Sequence, residues 1–220
     1  MASIKKGDFV ELDYTGRLTE EGIIFDTTEP GVAKENNLQN PPESYQPIVI
    51  CVGQKQVVKG LDEQLDGKEL NKQHTFNLTA EEAFGKKNGK LVQLIPTSKF
   101  KKQNIQPMPG LQVNIDNHLG LIKTVSGGRT LVDFNHPLAG KNVTYTVTPK
   151  RVVTDTKEKV ASFIKAQLNQ PTEVTIEKDT ANVKIEAFKQ LPKEALDQFS
   201  QELAKNLTLV VPEVKKLTIN

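Results

Sequence analysis

The residues best able to do chemistry sit in one early stretch, Val10 to Thr28, which reads VELDYTGRLTEEGIIFDTT. Its first half alternates, with Val10, Leu12 and Tyr14 on one side and Glu11, Asp13 and Thr15 on the other, the pattern of a half-buried strand. Gly16 permits a turn, Glu20-Glu21-Gly22 is a second turn signal, and Ile23 to Phe25 restart an apolar run that ends at Asp26. Tyr14 is thus placed on the buried side of one strand, while Phe25 and Asp26 end the next. A carboxylate directly after a buried aromatic is costly unless it is hydrogen-bonded. Asp26 is therefore expected to have partners, and a plain strand-end cap is the simpler alternative.

Other chemistries find little support in the chain. His74, His118 and His136 lie far apart, with no cysteine or carboxylate at metal-ligand spacing, so no metal is expected. The single cysteine, Cys51, falls in the apolar run Ile48 to Val52 and reads as a small core residue. There is no P-loop, no GxGxxG after a strand, no nucleophile elbow and no internal repeat, so no cofactor is expected either. The 29 basic and 27 acidic residues leave a net charge of +2, too small to argue for nucleic acid or an anionic membrane. The run Lys99-Phe100-Lys101-Lys102 reads as a solvated face. The start MASIKKGDF lacks an apolar signal core, and no segment approaches the roughly 20 apolar residues of a membrane span. A cytoplasmic location is the expectation.

The elements that must position Tyr14 and Asp26 follow in order. Glu29 to Pro47, rich in Pro, Asn, Gly and Glu, reads as a long irregular loop, either a solvated insertion or a shaper of pocket access. Ile48 to Val52 reads as a strand stopped by Gly53. Val58, Leu61 and Leu65 stand at helical spacing, and His74 to Leu78 alternates again. Four further strand patterns, Leu91 to Ile95, Leu111 to Ile115, Leu119 to Val125 and Arg129 to Phe134, are separated by Pro109-Gly110, Asp116-Asn117 and Gly127-Gly128. Val143 to Val147 alternates as a closing strand. From Val153 the pattern changes. Asp155 and Glu158 suit a capping box, and Val160, Phe163, Ile164 and Leu168 make one helical face. Val174, Ile176, Val183 and Ile185 read as a hairpin about Lys178-Asp179-Thr180. Pro192 suits the first position of a helix, along which Leu196, Phe199, Leu203 and Leu207 form a stripe, and Val214 to Ile219 reads as a last strand. Both stripes are cores or a subunit interface.

These motifs together resemble the FKBP-type peptidyl-prolyl cis–trans isomerases. Tyr14-Thr15-Gly16 and Phe25-Asp26-Thr27-Thr28 are similar to the family's opening signature, whose Y-T-G and F-D line the prolyl pocket. Val57-Val58-Lys59-Gly60-Leu61 through Leu65 resembles its short helix under the pocket, with Leu61 in the place of a tryptophan. Ala80 to Gly85 resembles its P-x-x-A-Y-G corner, with Phe84 keeping the ring and losing the hydroxyl. Asn135-His136-Pro137-Leu138-Ala139-Gly140 resembles the rejoining motif of SlyD-like and long archaeal members, after an insert in the flap, and Tyr145 falls where the family has a pocket phenylalanine. The resemblance runs over about residues 4–152. It implies an α+β fold: an antiparallel half-barrel wrapped on a short helix, a mostly-β domain inserted in the flap, and a C-terminal α-β-β-α-β domain. The boundaries it implies are 1–85 with 136–152 for the isomerase, 86–135 for the insert and 153–220 for the C-terminal domain.

The implied activity is isomerisation of X–Pro bonds in unfolded or partly folded polypeptides, accelerating proline-limited folding. Amide resonance sets a barrier of about 18–20 kcal/mol, and uncatalysed exchange takes tens of seconds or more. Reaching milliseconds takes roughly four decades, or about 5.5 kcal/mol. An apolar cavity can supply that by desolvating the imide, since the polar planar ground state loses more than the twisted transition state. Tyr14, Phe25, Ile48, Val57, Val58, Leu61, Phe84, Leu138 and Tyr145 would form the cavity. Asp26 would anchor Tyr14 or the substrate carbonyl region, and the Val58 N–H would be free for a substrate carbonyl. Macrolide ligands of the FK506 kind would share the pocket. The small insert has little core of its own, so part of its apolar set would stay accessible for client capture. Leu111, Val113, Ile115, Leu121 and Ile122 are the candidates, against the alternative that they are insert core. Two other readings stay open: an ATP-independent holdase with a vestigial pocket, and an assembly module dominated by the C-terminal domain, through which a homodimer would also form.

Overall fold

The computed structural model describes residues 3–40, 45–168, 172–185, 188 and 193–219. In chain order they form β1 (Phe9–Leu18), β2 (Ile24–Thr27), α1 (Pro30–Glu35), β3 (Ile48–Cys51), α2 (Lys59–Gln64), β4 (His74–Leu78), β5 (Val92–Pro96), α3 (Thr97–Lys102), β6 (Gln112–Ile115), β7 (His118–Ser126), β8 (Arg129–Asp133), β9 (Val143–Val153), α4 (Thr156–Leu168), β10 (Glu173–Glu177), β11 (Thr180–Lys184), α5 (Lys193–Val210) and β12 (Lys216–Ile219). The fold is α+β. Contacts divide it into two compact units, one of residues 1–78 with 142–220 and one of residues 79–141.

In the first unit the main sheet has the order β2-β1-β9-β4, and β3 pairs with β1 beyond the end of β2. The strand expected to close this sheet, β9, runs up its middle between β1 and β4. Its alternation explains that position, because Val143, Tyr145 and Val147 are all buried on one face while Thr144, bonded to Asn77 and Thr19, ties the other face together. In β4 the inward residues Phe76 and Leu78 are buried and Thr75 and Asn77 are exposed. Only one face of this end of the sheet therefore needs a cover. Helix α2 packs on β4 and supplies it with Leu61 and Leu65, both shut off from solvent.

At the other end the opposite face is covered. Phe9, Val49, Cys51 and Val153 pack with Val160, Phe163 and Ile164 of α4 and with the interior of the three-stranded sheet β10-β11-β12. The segment 153–220, expected as a domain in its own right, thus shares one core with the start of β1 and belongs to the first unit. Its α-β-β-α-β order is as the periodicities suggest. Leu196, Phe199, Leu203 and Leu207 lie in this core, which decides their stripe as packing. Asp155 caps α4 by accepting the Glu158 N–H at 2.8 Å, and the Glu158 carboxylate pairs with Arg151. Pro192 lies outside the described residues. The expected irregular loop 29–47 contains the short helix α1, started by Pro30 and pinned by buried Ala33.

The second unit carries the four-stranded antiparallel sheet β5-β8-β7-β6, with Ile95, Phe100, Val113, Ile122 and Val132 as its core. Phe100 corrects one expectation. The run around it is not simply a solvated face but helix α3, whose lysines are exposed while the ring is 1% exposed. Gly120 on β7 is needed for close approach, since a Cβ there would lie 2.6 Å from Val132 and 2.8 Å from the Phe134 ring.

Candidate active site

Strand pairing builds one row across four strands: Phe76 on β4, Tyr145 on β9, Gly16 on β1 and Asp26 on β2. Directly paired residues point to the same face, so this row lies on the side that α2 covers. Gly16 is not a turn residue, as its type suggests, but a strand-interior gap. A Cβ built on it would fall 2.8 Å from the Phe25 ring and 2.9 Å from Tyr145. The two rings occupy the space that any larger residue would take, meeting edge to face with centroids 5.9 Å apart.

Phe25 and Asp26 are neighbours in sequence, yet both reach this face. The β1–β2 register explains it: Gly16 pairs with Asp26 and Arg17 with Ile24, which leaves Phe25 as an extra residue. A bulge re-aims one side chain out of the strict alternation. Asp26 then accepts a 2.6 Å hydrogen bond from the Tyr14 hydroxyl, and Tyr14 and Tyr145 tilt against each other at 5.9 Å. The two threonines of the Phe-Asp-Thr-Thr run secure the strand beneath. Thr28 Oγ1 accepts from the Tyr14 N–H and donates to Asp13, while Thr27 Oγ1 donates to the Tyr14 carbonyl. Asp26 is thus an anchor for Tyr14, not a free acid. No hydrogen bond joins the Tyr145 hydroxyl to another of the described residues.

Burial, then the Asp26 hydrogen bond and charge, push the Tyr14 phenol well above its ordinary range, and burial followed by the Asp26 charge does the same for Tyr145. Unfolded, each ionises near 10. Both groups are raised on folding, so the stability they carry is complete below about pH 10 and drains as pH rises past it. An alkaline titration is therefore expected to show phenolate absorbance from these two rings only as the protein unfolds. Phenolate that precedes unfolding, and that Tyr14→Phe or Tyr145→Phe removes, would contradict their burial.

The remaining expected pocket residues of the first unit are half-buried Ile48, Val57 and Val58, with Leu61 below at 1% exposure. Ile48 pairs with Leu12 and so faces the same side as Tyr14, one step along. Val58 caps α2, its carbonyl accepting from Leu61 and Asp62, and its own N–H has no acceptor among the described residues. Asp62 holds the preceding loop by accepting the Gly53 and Lys55 N–H groups at 2.7 and 2.8 Å. Sequence reasoning missed Gly16 and Asp62. A glycine flanked by alternating strand residues was the signal for the first.

Phe84 and Leu138 belong to the second unit, where the Phe84 ring stacks on His136 at 4.7 Å. Asn135 bridges this region, donating to Asp133 and to the Asn88 carbonyl and accepting from the Asn88 N–H. Burial works to raise the Asp133 carboxyl, but the Asn135 hydrogen bonds and the Lys87 and Lys123 charges hold it below the usual carboxylate range. Of the five insert residues expected to capture clients, Val113 and Ile122 are corrected to core, at 4% and 1% exposure. They sit on the inward phase of β6 and β7. Leu111, Ile115 and Leu121 are half-buried, and the open apolar surface is instead Leu91, Leu94, Met108 and Leu119. Leu119, Leu121 and Phe134 line a cleft of about 350 Å3 in this unit. Among the described residues no three His, Cys, Asp or Glu side chains are grouped to hold a metal, and no helix is long and apolar enough to cross a membrane.

Comparison with known proteins identifies the family. A family model described as FKBP-type peptidyl-prolyl cis-trans isomerase matches residues 1–107, and one described as FKBP26, IF domain matches residues 93–138. The chain is 33% identical over 144 residues to the short-type peptidyl-prolyl cis-trans isomerase of Methanocaldococcus jannaschii, covering 66% of this chain and 90% of that one. It is 30% identical over 140 residues to the FKBP-type isomerase SlyD of Vibrio cholerae, covering 61% and 66%. A probable FKBP-type 16 kDa isomerase of Pseudomonas fluorescens matches at 34% over 106 residues, 46% of this chain and 69% of that one. With a bulged Phe-Asp pair, a tyrosine anchored on the acid and a short helix under the sheet, the chain belongs to the FKBP-type peptidyl-prolyl cis–trans isomerases.

Proposed function

We propose that the isomerase site of this chain is the aromatic face built around Gly16, with Tyr14, Phe25, Asp26 and Tyr145 as its centre and Ile48, Val57, Val58 and Leu61 as its rim and floor. The observation that carries this reading is the 2.6 Å bond from Tyr14 to Asp26 set among rings that meet over a glycine. A planar imide owes its barrier to resonance between nitrogen and carbonyl. Donors aimed at the imide carbonyl would strengthen that resonance and slow rotation. An apolar wall leaves the charge-separated ground state unsolvated and favours the twisted state. Polar groups are then useful only on the flanking carbonyls, and the Tyr145 hydroxyl and Val58 N–H, unpaired among the described residues, are the donors for them.

Asp26 keeps the Tyr14 phenol from seeking a substrate oxygen and fixes its ring. Replacing it by alanine is expected to lower kcat/KM for an X–Pro tetrapeptide about tenfold or more, the scale of losing a hydrogen bond to a charged group. The far-ultraviolet circular dichroism should stay that of the parent. Unchanged kcat/KM in a folded variant removes Asp26 from the site.

The second unit adds a folding-helper role. Its exposed Leu91, Leu94, Met108 and Leu119, beside a cleft lined by Leu119, Leu121 and Phe134, suit transient capture of unfolded polypeptide. A macrolide of the FK506 kind competes with an X–Pro peptide for the same aromatic face.

A further inference from the structure

Strand β3 has one edge bonded to β1 and, among the described residues, no strand paired with the other. Val52 exchanges hydrogen bonds with β1's lead-in, its N–H donating to Asp8 and its carbonyl accepting from Gly7. By the two-residue alternation of a strand, Ile50 and Ile48 also turn their backbone groups toward β1. Cys51 and Val49 turn theirs outward. The outward Cys51 N–H is taken by the side chain of Gln56, whose Oε1 accepts it at 2.7 Å. That bond fixes which end of the amide is which. The other end, Nε2, is buried and has no hydrogen-bond partner among the described residues. Gln56 thus stands where the next strand's peptide group would stand, with its acceptor used and its donor idle. A buried donor left idle is costly, and an incoming oxygen relieves the cost.

Beside this edge runs a cleft of about 370 Å3, lined by Gln46 through Ile50, Gln56 and the α4 residues Ser162, Lys165 and Ala166. Small Ser162 and Ala166, one helical turn apart, leave the room, and Lys165 between them has no ion-pair partner among the described residues. Ile48 lines this cleft and pairs with Leu12 on the Tyr14 side of the sheet, so the cleft shares this one residue with the rim of the proposed isomerase site.

We propose that the open edge of β3 binds an extended segment of the polypeptide substrate, next to the proline, as an added strand. A carbonyl of that segment takes the Gln56 Nε2 donor, its backbone pairs with Val49, and an acidic side chain or terminal carboxylate meets Lys165. Gln56 is only half-buried, so a short turn about its Cys51 bond presents Nε2 to the occupant. Main-chain pairing supplies affinity without demanding a sequence, while Lys165 adds a preference for acidic flanks. The inference rests on the reading that polypeptides are held at the adjacent aromatic face.

The test uses the full chain and two Pro-containing peptides, one with Asp and Glu flanking the proline and a twin with Lys. Binding is read by fluorescence anisotropy and by the side-chain amide signals of Gln56 in nitrogen-15 spectra, so it does not depend on turnover. Ala166→Phe fills the cleft from an exposed helix position and is expected to weaken the acidic peptide about tenfold, or 1.4 kcal/mol. Gln167→Phe, a neighbour that does not line the cleft, should leave it unchanged. Lys165→Glu should weaken the acidic peptide and strengthen the lysine twin. Tetrapeptide turnover should be unchanged in all three; its absence in the parent chain would remove the isomerase reading and leave the binding test intact. The proposal is overturned if peptide leaves the Gln56 amide signals unmoved, which would make water the occupant. It is also overturned if a small carboxylate such as glutarate displaces the peptide fully, or if Ala166→Phe and Gln167→Phe behave alike.

Discussion

Gly16→Ala is expected to damage the site more than removal of any one of its hydrogen bonds. The added methyl would lie 2.8 Å and 2.9 Å from two atoms of the Phe25 ring and 2.9 Å from Tyr145. Neither ring is the loose end of a flexible chain. Tyr145 is 5% exposed and paired on both sides within the sheet, and Phe25 is held in a bulge. Overpacking of this kind costs about 1–3 kcal/mol in stability. The rings must also swing out of the face they form, and displacement of about 1 Å at a reacting centre can cost about a hundredfold in rate. We expect kcat/KM for a tetrapeptide to fall by about that factor while the chain remains folded at room temperature. Denaturant unfolding and peptide kinetics on the same sample separate the two losses. Parent-like values in both would show that the rings yield freely, and the aromatic face would then lose its claim to be a tightly built site. Gly120→Ala makes a useful contrast, because its methyl collides with Val132 and Phe134 in the other unit. It should destabilise that unit's sheet without the catalytic loss.

The contrast between the two glycines also marks what a sequence discloses. Periodicity placed β4, β6, β7 and β8 within a residue or two, and the first half of β1, because each buries one face and leaves polar residues on the other. The buried aromatic before Asp26 also disclosed that this carboxylate needs a partner, which the Tyr14 hydroxyl supplies; a pocket role for Tyr14, Phe25 and Asp26 came from the family resemblance, not from periodicity. Periodicity did not disclose that Phe25 is bulged, because a bulge is a relation between two strands and leaves no periodic trace in either. For the same reason Gly16 read as a turn. Its smallness answers to rings contributed by Phe25 and, from far along the chain, Tyr145. Phe100 was hidden by its lysines: three charges around one ring describe a helix with a single buried position, and at that length the apolar period has no second member to reveal it. Val113 and Ile122 were misjudged because strand alternation names two faces without saying which one finds a partner. The share of core between Phe9, Cys51 and α4 was likewise invisible, as both sides of that contact look like ordinary buried strand and helix faces.

Replacing residues 86–134 by a short glycine-containing flap is the change expected to separate catalysis from folding help most widely. Tetrapeptide turnover should stay within about tenfold of the parent, because Tyr14, Phe25, Asp26 and Tyr145 all lie in the first unit. Catalysis of proline-limited refolding should fall much further. A captured client presents its prolines repeatedly at a high local concentration, and such tethering is worth about 10²–10⁴ in apparent affinity. Single substitutions then locate the capture surface. Leu119→Ser removes a side chain that is 62% exposed and should leave stability nearly intact while weakening client binding. Ile122→Ser removes one that is 1% exposed and buries a hydroxyl in its place, so it should lose roughly 2–5 kcal/mol, the range of large-to-small core substitutions. If Leu119→Ser binds clients as the parent does, the exposed leucines are not the capture surface. If the flap replacement lowers tetrapeptide and refolding activity in equal proportion, the second unit contributes only to the integrity of the isomerase, and unfolded polypeptide is held by the first unit alone.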